Sequence, residues 1–447
     1  MKRVVLVGVL IVLALLIGTG IGYALASPGS LTTILEPGSV QKGATVVVFQ
    51  DSDGVVYYVK PDGDVVTDGD TTADEIQEAL DYIGNLGGGK LVIREGTYTV
   101  MQALTPPNGT TIEGTGWNTI IKLGNGAESR LFYIASKEKI TIRNIKLDGN
   151  KANQETTPDM VTIYKSRIIL FENVKFIDAP RRSINIYNDL SYRIWITNCR
   201  FEDSAEAQIG IGITGGGPYD IWIIDCSFYG GEKAINIQQS AHDIHIKGCN
   251  VRGYSESGIL AGSKDTYHIF IINNYVDGAG STGDAIGVWG ERSYVIGNRI
   301  RNAGDTGILF ACVGGCCCNN IVSRSQNSGI SLAGCQRSII SDNICFDNGQ
   351  NPSTPASYAG IRVKYSDTLG RDATRLVISS NLCYDSQPTK TQRYGIEIMD
   401  NCTYITIIGN DVRGNSVSGI ETSGLGALAS NIIIKDNLGF DTEKSGT

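Results

Sequence analysis

Arg362, Glu397 and Glu421 each lie two residues after the glycine of a Gly-Ile pair. The same offset holds Asn236, Gly287, Leu309 and Ser331 in earlier repeats. Lys364 stands two residues beyond Arg362, and Trp289 takes the matching place three repeats earlier. On successive strands this offset would face outward, so Arg362, Glu397 and Glu421 would stack one rung apart. Two carboxylates beside an arginine suit a saccharide or a calcium ion, since carboxylate oxygens accept hydroxyl hydrogens and ligate hard cations. An exposed indole such as Trp289 suits a sugar ring. The same column also reads as a solvated ion-pair ladder, which contributes little stability.

Such a column needs strands that repeat. One phrase recurs as Asn198-Cys199-Arg200-Phe201, Asp225-Cys226-Ser227-Phe228, Asn273-Asn274-Tyr275-Val276 and Asp342-Asn343-Ile344-Cys345, ending at Asp436-Asn437-Leu438-Gly439. The spacing is about 22 to 29 residues, with one interval of 38. A period of that length, built of β-branched runs and turn residues, is one coil of a parallel β-solenoid. About ten residues after each phrase comes a small residue and then an apolar one, as in Ala234-Ile235, Gly258-Ile259 and Gly329-Ile330. Each coil therefore has at least two strands with alternating inward and outward residues. Asn274, Asn298, Asn320, Asn343, Asn381, Asn410 and Asn437 would form one amide ladder, with Cys199, Cys226 and Cys249 at its rung position earlier in the chain.

Upstream, Thr72-Ala73-Asp74-Glu75 reads as a capping box, and Ile76, Ala79, Leu80 and Ile83 form one helical face. Gly87-Gly88-Gly89-Lys90-Leu91-Val92-Ile93 and Gly96-Thr97-Tyr98 follow. With the repeats, this order resembles the right-handed parallel β-helix of the pectin-lyase-like superfamily over roughly residues 70 to 440. The resemblance implies an all-β fold, a right-handed parallel β-helix with an N-terminal amphipathic cap helix. It implies carbohydrate as the ligand class, while lyases, hydrolases, epimerases, tailspikes and adhesins share the fold.

In the polygalacturonase-like branch the motifs run N-T-D, D-D, G-H-G and R-I-K. Gly283-Asp284-Ala285 falls where D-D would be, and Gly304-Asp305-Thr306-Gly307 falls near G-H-G without its histidine. Gly360-Ile361-Arg362-Val363-Lys364 fits the last motif, and no N-T-D precedes them. The resemblance thus implies catalytic roles for Asp284, Asp305, Arg362 and Lys364, with Glu397 and Glu421 added by the rung alignment. Glycosidic hydrolysis needs two carboxylates across the scissile bond. An aspartate in a turn is the other reading of Asp284 and Asp305. Two functions compete: a polysaccharide lyase or hydrolase, and a non-catalytic cell-surface adhesin or structural repeat protein.

Lys2 and Arg3 precede an apolar run from Val4 to about Ala26, ending in Ala24-Leu25-Ala26. Residues 1–26 read as a signal peptide or, since the run is long enough to span a bilayer, as a membrane anchor through residues 4–26. Either implies an extracellular or cell-surface protein. Residues 27–43 read as a linker, 44–70 as a β-hairpin lead-in, 71–441 as the β-helix and 442–447 as a tail. Asn108 and Asn401 begin N-x-T glycosylation sequons. Loops depart from the repeat near Asn351–Pro355 and from Ser366 to Arg375. The last coil lacks a clear cap, which invites self-association.

Net charge is −8, from 38 basic and 46 acidic residues interspersed along the chain, and no basic stripe is visible. Nucleic acid is therefore not the expected partner. Asp62-Gly63-Asp64 and Asp68-Gly69-Asp70 invite calcium but lack a full loop motif, so turn chemistry is the expectation. Cys312, Cys316-Cys317-Cys318 and Cys335 lack metal-ligand spacing, and turn packing or a local disulfide accounts for them, with no metal assigned. Cys345 and Cys383 share a rung position that would suit a bridge. His242, His245 and His268 fall on other coils from the candidate residues.

Overall fold

Three strands, where the repeat demands at least two, make each typical coil of this computed structural model, which describes residues 44–351 and 358–440. Residues 1–43, 352–357 and 441–447 lie outside the described residues, and with them the expected leader, linker and tail and part of the first long loop. A 27-stranded sheet carries two faces of the solenoid and a 12-stranded sheet carries the third. On the first face Tyr192–Thr197, Tyr219–Ile224 and His242–Lys247 pair in parallel. On the second, Arg200–Glu202, Ser227–Tyr229 and Asn250–Arg252 do so. On the third, Ile184–Tyr187, Ala207–Ile211 and Lys233–Ile237 do so.

The corner between the first two faces explains the repeated phrase. The residue before each ladder position is left-handed, for example Asn273 at φ 55° and Asp342 at φ 58°, a region that Asn, Asp and Gly tolerate best. The chain then turns and aims the ladder amide inward. Asn298 Nδ2 donates to Asn320 Oδ1 at 3.0 Å, and Asn320 Nδ2 donates to Asn343 Oδ1 at 3.0 Å. Each oxygen also accepts the backbone N–H of the preceding ladder residue, so the corner is saturated rung by rung. The column continues through Asn381 and Asn410 to Asn437. Cys199, Cys226 and Cys249 are buried in the same column.

Inside, Ile and Val stack on their own kind and one continuous cluster runs the length of the solenoid. Phe176, Phe201 and Phe228 stack at 4.6 and 4.8 Å. At the N-terminal end, helix α1 (Glu75–Asn85) buries Ile76, Ala79, Leu80 and Ile83 in this core. The capping box is not made. Asp74 is the N-cap, with no side-chain cap bond, because the Thr72 hydroxyl donates to Asp70 and Asp74. Glu75 instead accepts from the Asp68 N–H, and burial pushes its carboxyl up to about 7. Strand β1 (Ala44–Gln50) pairs antiparallel with β2 (Val56–Val59) and parallel with β3 (Gly89–Ile93), so the lead-in hairpin joins the first coil. In the last rung Ile432 and Ile434 are only partly buried, unlike the inward residues of earlier rungs.

Candidate functional site

The third face carries the residues singled out by spacing. Ser331 pairs with Arg362, Arg362 with Glu397, and Glu397 with Glu421, so the column exists as one register. Arg362 Nε lies 3.0 Å from Glu397 Oε2, and both side chains are largely buried, at 17% and 8% exposure. The guanidinium also donates to Met399 Sδ at 3.2 and 2.9 Å. Burial raises the Glu397 pKa, and Arg362 only partly offsets it. A solvated ladder would not do this, so that reading fails for the Arg362–Glu397 pair. Glu421 accepts the Ser423 N–H at 2.6 Å.

Asp284 and Asp305 form a second group at the beginning of the third-face strands. Asp284 Oδ1 accepts the Thr306 N–H at 3.1 Å, and Asp305 accepts from the Asn327 amide. Burial first, and then the Asp305 charge, push Asp284 up to about 7. Four rungs separate the strand after Asp284 from that of Glu397. At the strand spacing this is roughly 19 Å. The six charged residues therefore do not all converge on one scissile bond, because each further coil of sequence moves a side chain one rung along the axis, although Lys364 comes near enough to Asp284 to offset part of its rise. Lys364 pairs with Ala333 in register, and Trp289 is half-buried three rungs earlier. Asn108 is exposed and Asn401 is half-buried.

A denser polar cluster lies toward the N-terminal end of the same face. Arg182, 5% exposed, reaches Asp159 Oδ1 at 3.2 Å and Glu206 Oε2 at 2.5 Å. Asn185 Nδ2 donates to Asp159 Oδ2 at 2.7 Å, and Arg181 Nε lies 3.1 Å from Glu206. Arg182 Nε and Asn185 Oδ1 are buried with no hydrogen-bond partner. Tyr164 and Tyr187 lie in the same face with ring centroids 4.9 Å apart and planes tilted by 31°, and burial raises the Tyr187 phenol. Two and three rungs on from Arg182, Lys233 bridges Glu232 at 2.6 Å and Glu256 at 2.5 Å. The Glu232–Glu256 contact lowers the first carboxyl and raises the second.

Spacing missed this cluster because Ser183-Ile184 and Gln208-Ile209 fill the slot that Gly or Ala occupies later. Asp159 and Arg182, each two residues before a strand's first apolar residue, carry the signal that would have found it.

The remaining candidates resolve locally. His245 is sandwiched between Trp222 and Phe270 on the first face, at 3.7 and 4.5 Å, and burial lowers it to about 4. His242 and His268 contact Asp243 on that face. Cys316 and Cys318 form a disulfide, while Cys312, Cys317 and Cys335 are buried free thiols. Cys345 and Cys383 share a rung yet are also free thiols, so the bridge expected between them is absent. Among the described residues one acidic group has carboxylates close enough to share a cation: Asp68, Asp70 and Asp74, all exposed. Asp68 and Asp70 accept backbone N–H groups, as turn chemistry requires. Two shallow hollows of about 410 Å³ lie elsewhere, one beside Lys90 and Glu113, the other beside Tyr365 and Asp400. The first is lined by the Lys90–Glu113 ion pair, closed at 2.6 Å, and neither reaches the Arg182 cluster.

Residues 130–298 and 261–446 match the family model described as right handed beta helix region, and the chain belongs to that family. Among solved structures it is similar to the mannuronan C-5 epimerase AlgE6 A-module of Azotobacter vinelandii, at 18% identity and TM-score 0.55, covering 78% of this chain and 93% of that one. The AlgE4 A-module of the same organism is similar at 17% identity and TM-score 0.53, covering 81% and 95%. The Dettilon tailspike protein gp208 is similar at 15% identity and TM-score 0.52, covering 84% and 68%. At these identities the likeness shows the fold alone. No curated protein sequence matches the chain significantly. No helix among the described residues is long and apolar enough to cross a membrane.

Proposed function

We propose that the chain is an exported protein that binds a polysaccharide along its third face and processes it there. The observation that carries this reading is the buried Asp159–Arg182–Asn185 cluster, in which Arg182 Nε and Asn185 Oδ1 lack partners. Buried polar atoms are almost always satisfied, and a cluster holding both an unpaired donor and an unpaired acceptor fits hydroxyl-bearing groups, which both give and take hydrogen bonds. The adjoining, mutually tilted rings of Tyr164 and Tyr187 offer an aromatic wall on the same face. Asp159 and Glu206 already neutralise Arg182, so the ligand at this point is recognised through hydroxyls rather than through an acid group.

Processing is supported by Glu232 and Glu256. Lys233 holds the two on neighbouring rungs at 2.6 and 2.5 Å, and their mutual contact gives them unlike proton affinities, which suits acid–base work on a bound sugar. The separation of Asp284 from Glu397 supports the non-catalytic reading for the later coils. Export rests on the sequence of residues 1–26, and retention of that segment would make it a membrane anchor.

The test incubates residues 27–447 with neutral and acidic polysaccharides, with and without calcium. Mannuronan belongs in the panel because two structures of this fold are mannuronan epimerase modules. Reducing ends, unsaturated products and sugar composition are followed, with Arg182→Ala and Glu256→Gln alongside. Arg182→Ala should lose glycan binding at least tenfold, and Glu256→Gln should keep binding and lose turnover. Absence of wild-type binding to every glycan would end this reading.

A further inference from the structure

The first face turns an apolar stripe outward. Ten rungs stack there in register, from the strand of Trp195 to that of Ile433. One outward column runs from Trp195 and Trp222 through Phe270 and Tyr294 to Ile339 and Val377. The next column, two residues on, carries Ile224, Ile272, Ile296 and Ile408. Across both columns Lys247 and Lys435 are the only Lys, Arg, Asp or Glu. Ile339, Val377 and Ile433 are 51%, 40% and 56% exposed. At the strand spacing and rise the stripe covers roughly 45 Å by 20 Å, or about 900 Å². Monomeric proteins rarely leave a contiguous apolar face of that size open, and a standard interface buries about 800 Å² per partner.

A charged column borders the stripe. It is formed by the left-handed residue of each rung. Arg193, Asp220 and Asp243 come first; Arg292, Arg337 and Arg375 come later, with Tyr404 next after Arg375. His268 and Gly314 take the rungs on either side of Arg292. The acidic and basic residues are thus segregated along the axis. The three later arginines are exposed, and among the described residues none of them is in an ion pair. Asp220 and Asp243 keep side-chain exposures of 38% and 43%.

We infer that the first face joins two copies of this chain, antiparallel, about a two-fold axis that runs along the strands at the rung of Arg292. Such an axis reverses the order of the rungs and sets each column opposite itself. Asp243, two rungs before the axis, then meets Arg337, two rungs after it. Asp220 meets Arg375 one rung further out, and Arg193 meets the Tyr404 ring beyond that. Glu291, exposed beside Arg292, offsets the two arginines that meet on the axis. The apolar columns close on each other behind this rim, which is the usual anatomy of an interface: a dry centre and a charged border. A glycan is the weaker fit to this stripe, since sugars stack on open ring faces. Here each ring face is covered by the next rung, at 3.7 Å for Trp222 on His245, 4.5 Å for His245 on Phe270 and 5.1 Å for Phe270 on Tyr294. The inference uses no residue of the third face, so the two proposals stand or fall separately.

The experiment is sedimentation velocity on the full chain over a micromolar concentration series, in a density-matched non-ionic detergent that keeps the apolar segment near the N-terminus dissolved. The wild type should sediment as two copies. Ile339→Lys/Val377→Lys should sediment as one copy with an unchanged far-UV circular dichroism spectrum, because both side chains are exposed and the fold does not need them. That variant keeps residues 1–26, so association driven by the apolar segment would survive in it. Asp243→Lys and Arg337→Glu should each weaken the dimer at least tenfold by setting like charges opposite each other. Asp243→Lys/Arg337→Glu should restore it, since the two copies then exchange charges across the axis. A monomeric wild type, a species larger than two copies, an Ile339→Lys/Val377→Lys variant that still associates, or a charge-exchanged variant no tighter than the single ones would each overturn the inference.

Discussion

Arg182 lies across Gly210: a Cβ built on that glycine would sit 2.8 Å from Arg182 Cδ and 3.3 Å from Nε. Gly210 occupies the outward position one rung after Asn185. The missing side chain is thus what lets the guanidinium lie flat and reach Asp159 and Glu206. Gly210→Ala should push Arg182 out of this place. The buried Asp159 would lose its cation, at a cost on the order of 3 kcal/mol, while the part-exposed Glu206 keeps Arg181. Urea unfolding should show that loss, and glycan affinity should fall with it. Unchanged stability and affinity would mean that Arg182 does not need the gap.

Asp284 supplies a pH-dependent prediction. Its carboxyl is raised to about 7, so folding favours the protonated form. The stability it contributes is fully present below its ordinary value of 3.8 and is lost as pH rises through 7. Asp284→Asn keeps an oxygen for the Thr306 N–H and removes the charge. The variant should be more stable than wild type above pH 7, by about 2 kcal/mol after discounting for partial exposure. Below pH 4 the two should converge. Melting temperatures across pH 3.5 to 8.5 that run parallel would contradict the shift.

The parts of this structure that repeat were legible in the sequence. Asn274 to Asn437 could be read as a ladder because the left-handed residue before each one must be Asn, Asp, Gly or another tolerated type, which gives the phrase its signature. The third-face column was legible where Gly or Ala precedes Ile, and Arg362, Glu397 and Glu421 followed from it. Convergence was not legible. Asp159 and Arg182 meet only because one coil separates them, and Ser183 and Gln208 hide the register.

His245 is neutral in its sandwich and resists protonation down to about 4. In the unfolded chain it titrates near 6.5, so the stability tied to its neutral form is lost as pH falls from 6.5 through 4. His245→Phe would continue the ring stack between Trp222 and Phe270 without a titrating group. At pH 7.5 the variant should match wild type within about 1 kcal/mol. At pH 4.5 it should be the more stable by about 2 kcal/mol. A wild type that loses no stability relative to the variant on acidification would show that the imidazole is hydrated in solution.

The amide ladder should fail differently at its centre and at its end. Asn320 Oδ1 accepts from Asn298 N and Nδ2, both at 3.0 Å. Its Nδ2 donates to the Val295 carbonyl at 2.9 Å and to Asn343. Asn320→Ala would leave two donors and a carbonyl buried and unpaired, costing on the order of 3–4 kcal/mol. Asn437 bonds in the same way to Asn410, Ile407 and Lys435, but on a partly exposed rung that water can reach. Asn437→Ala should cost about 1 kcal/mol. A solenoid couples each rung mainly to its neighbours, so the central loss should also open amide exchange on the coils of Asn298 and Asn343 before the rest. Equal losses at the two positions, or exchange that opens uniformly along the chain, would mean that the ladder is replaceable by packing.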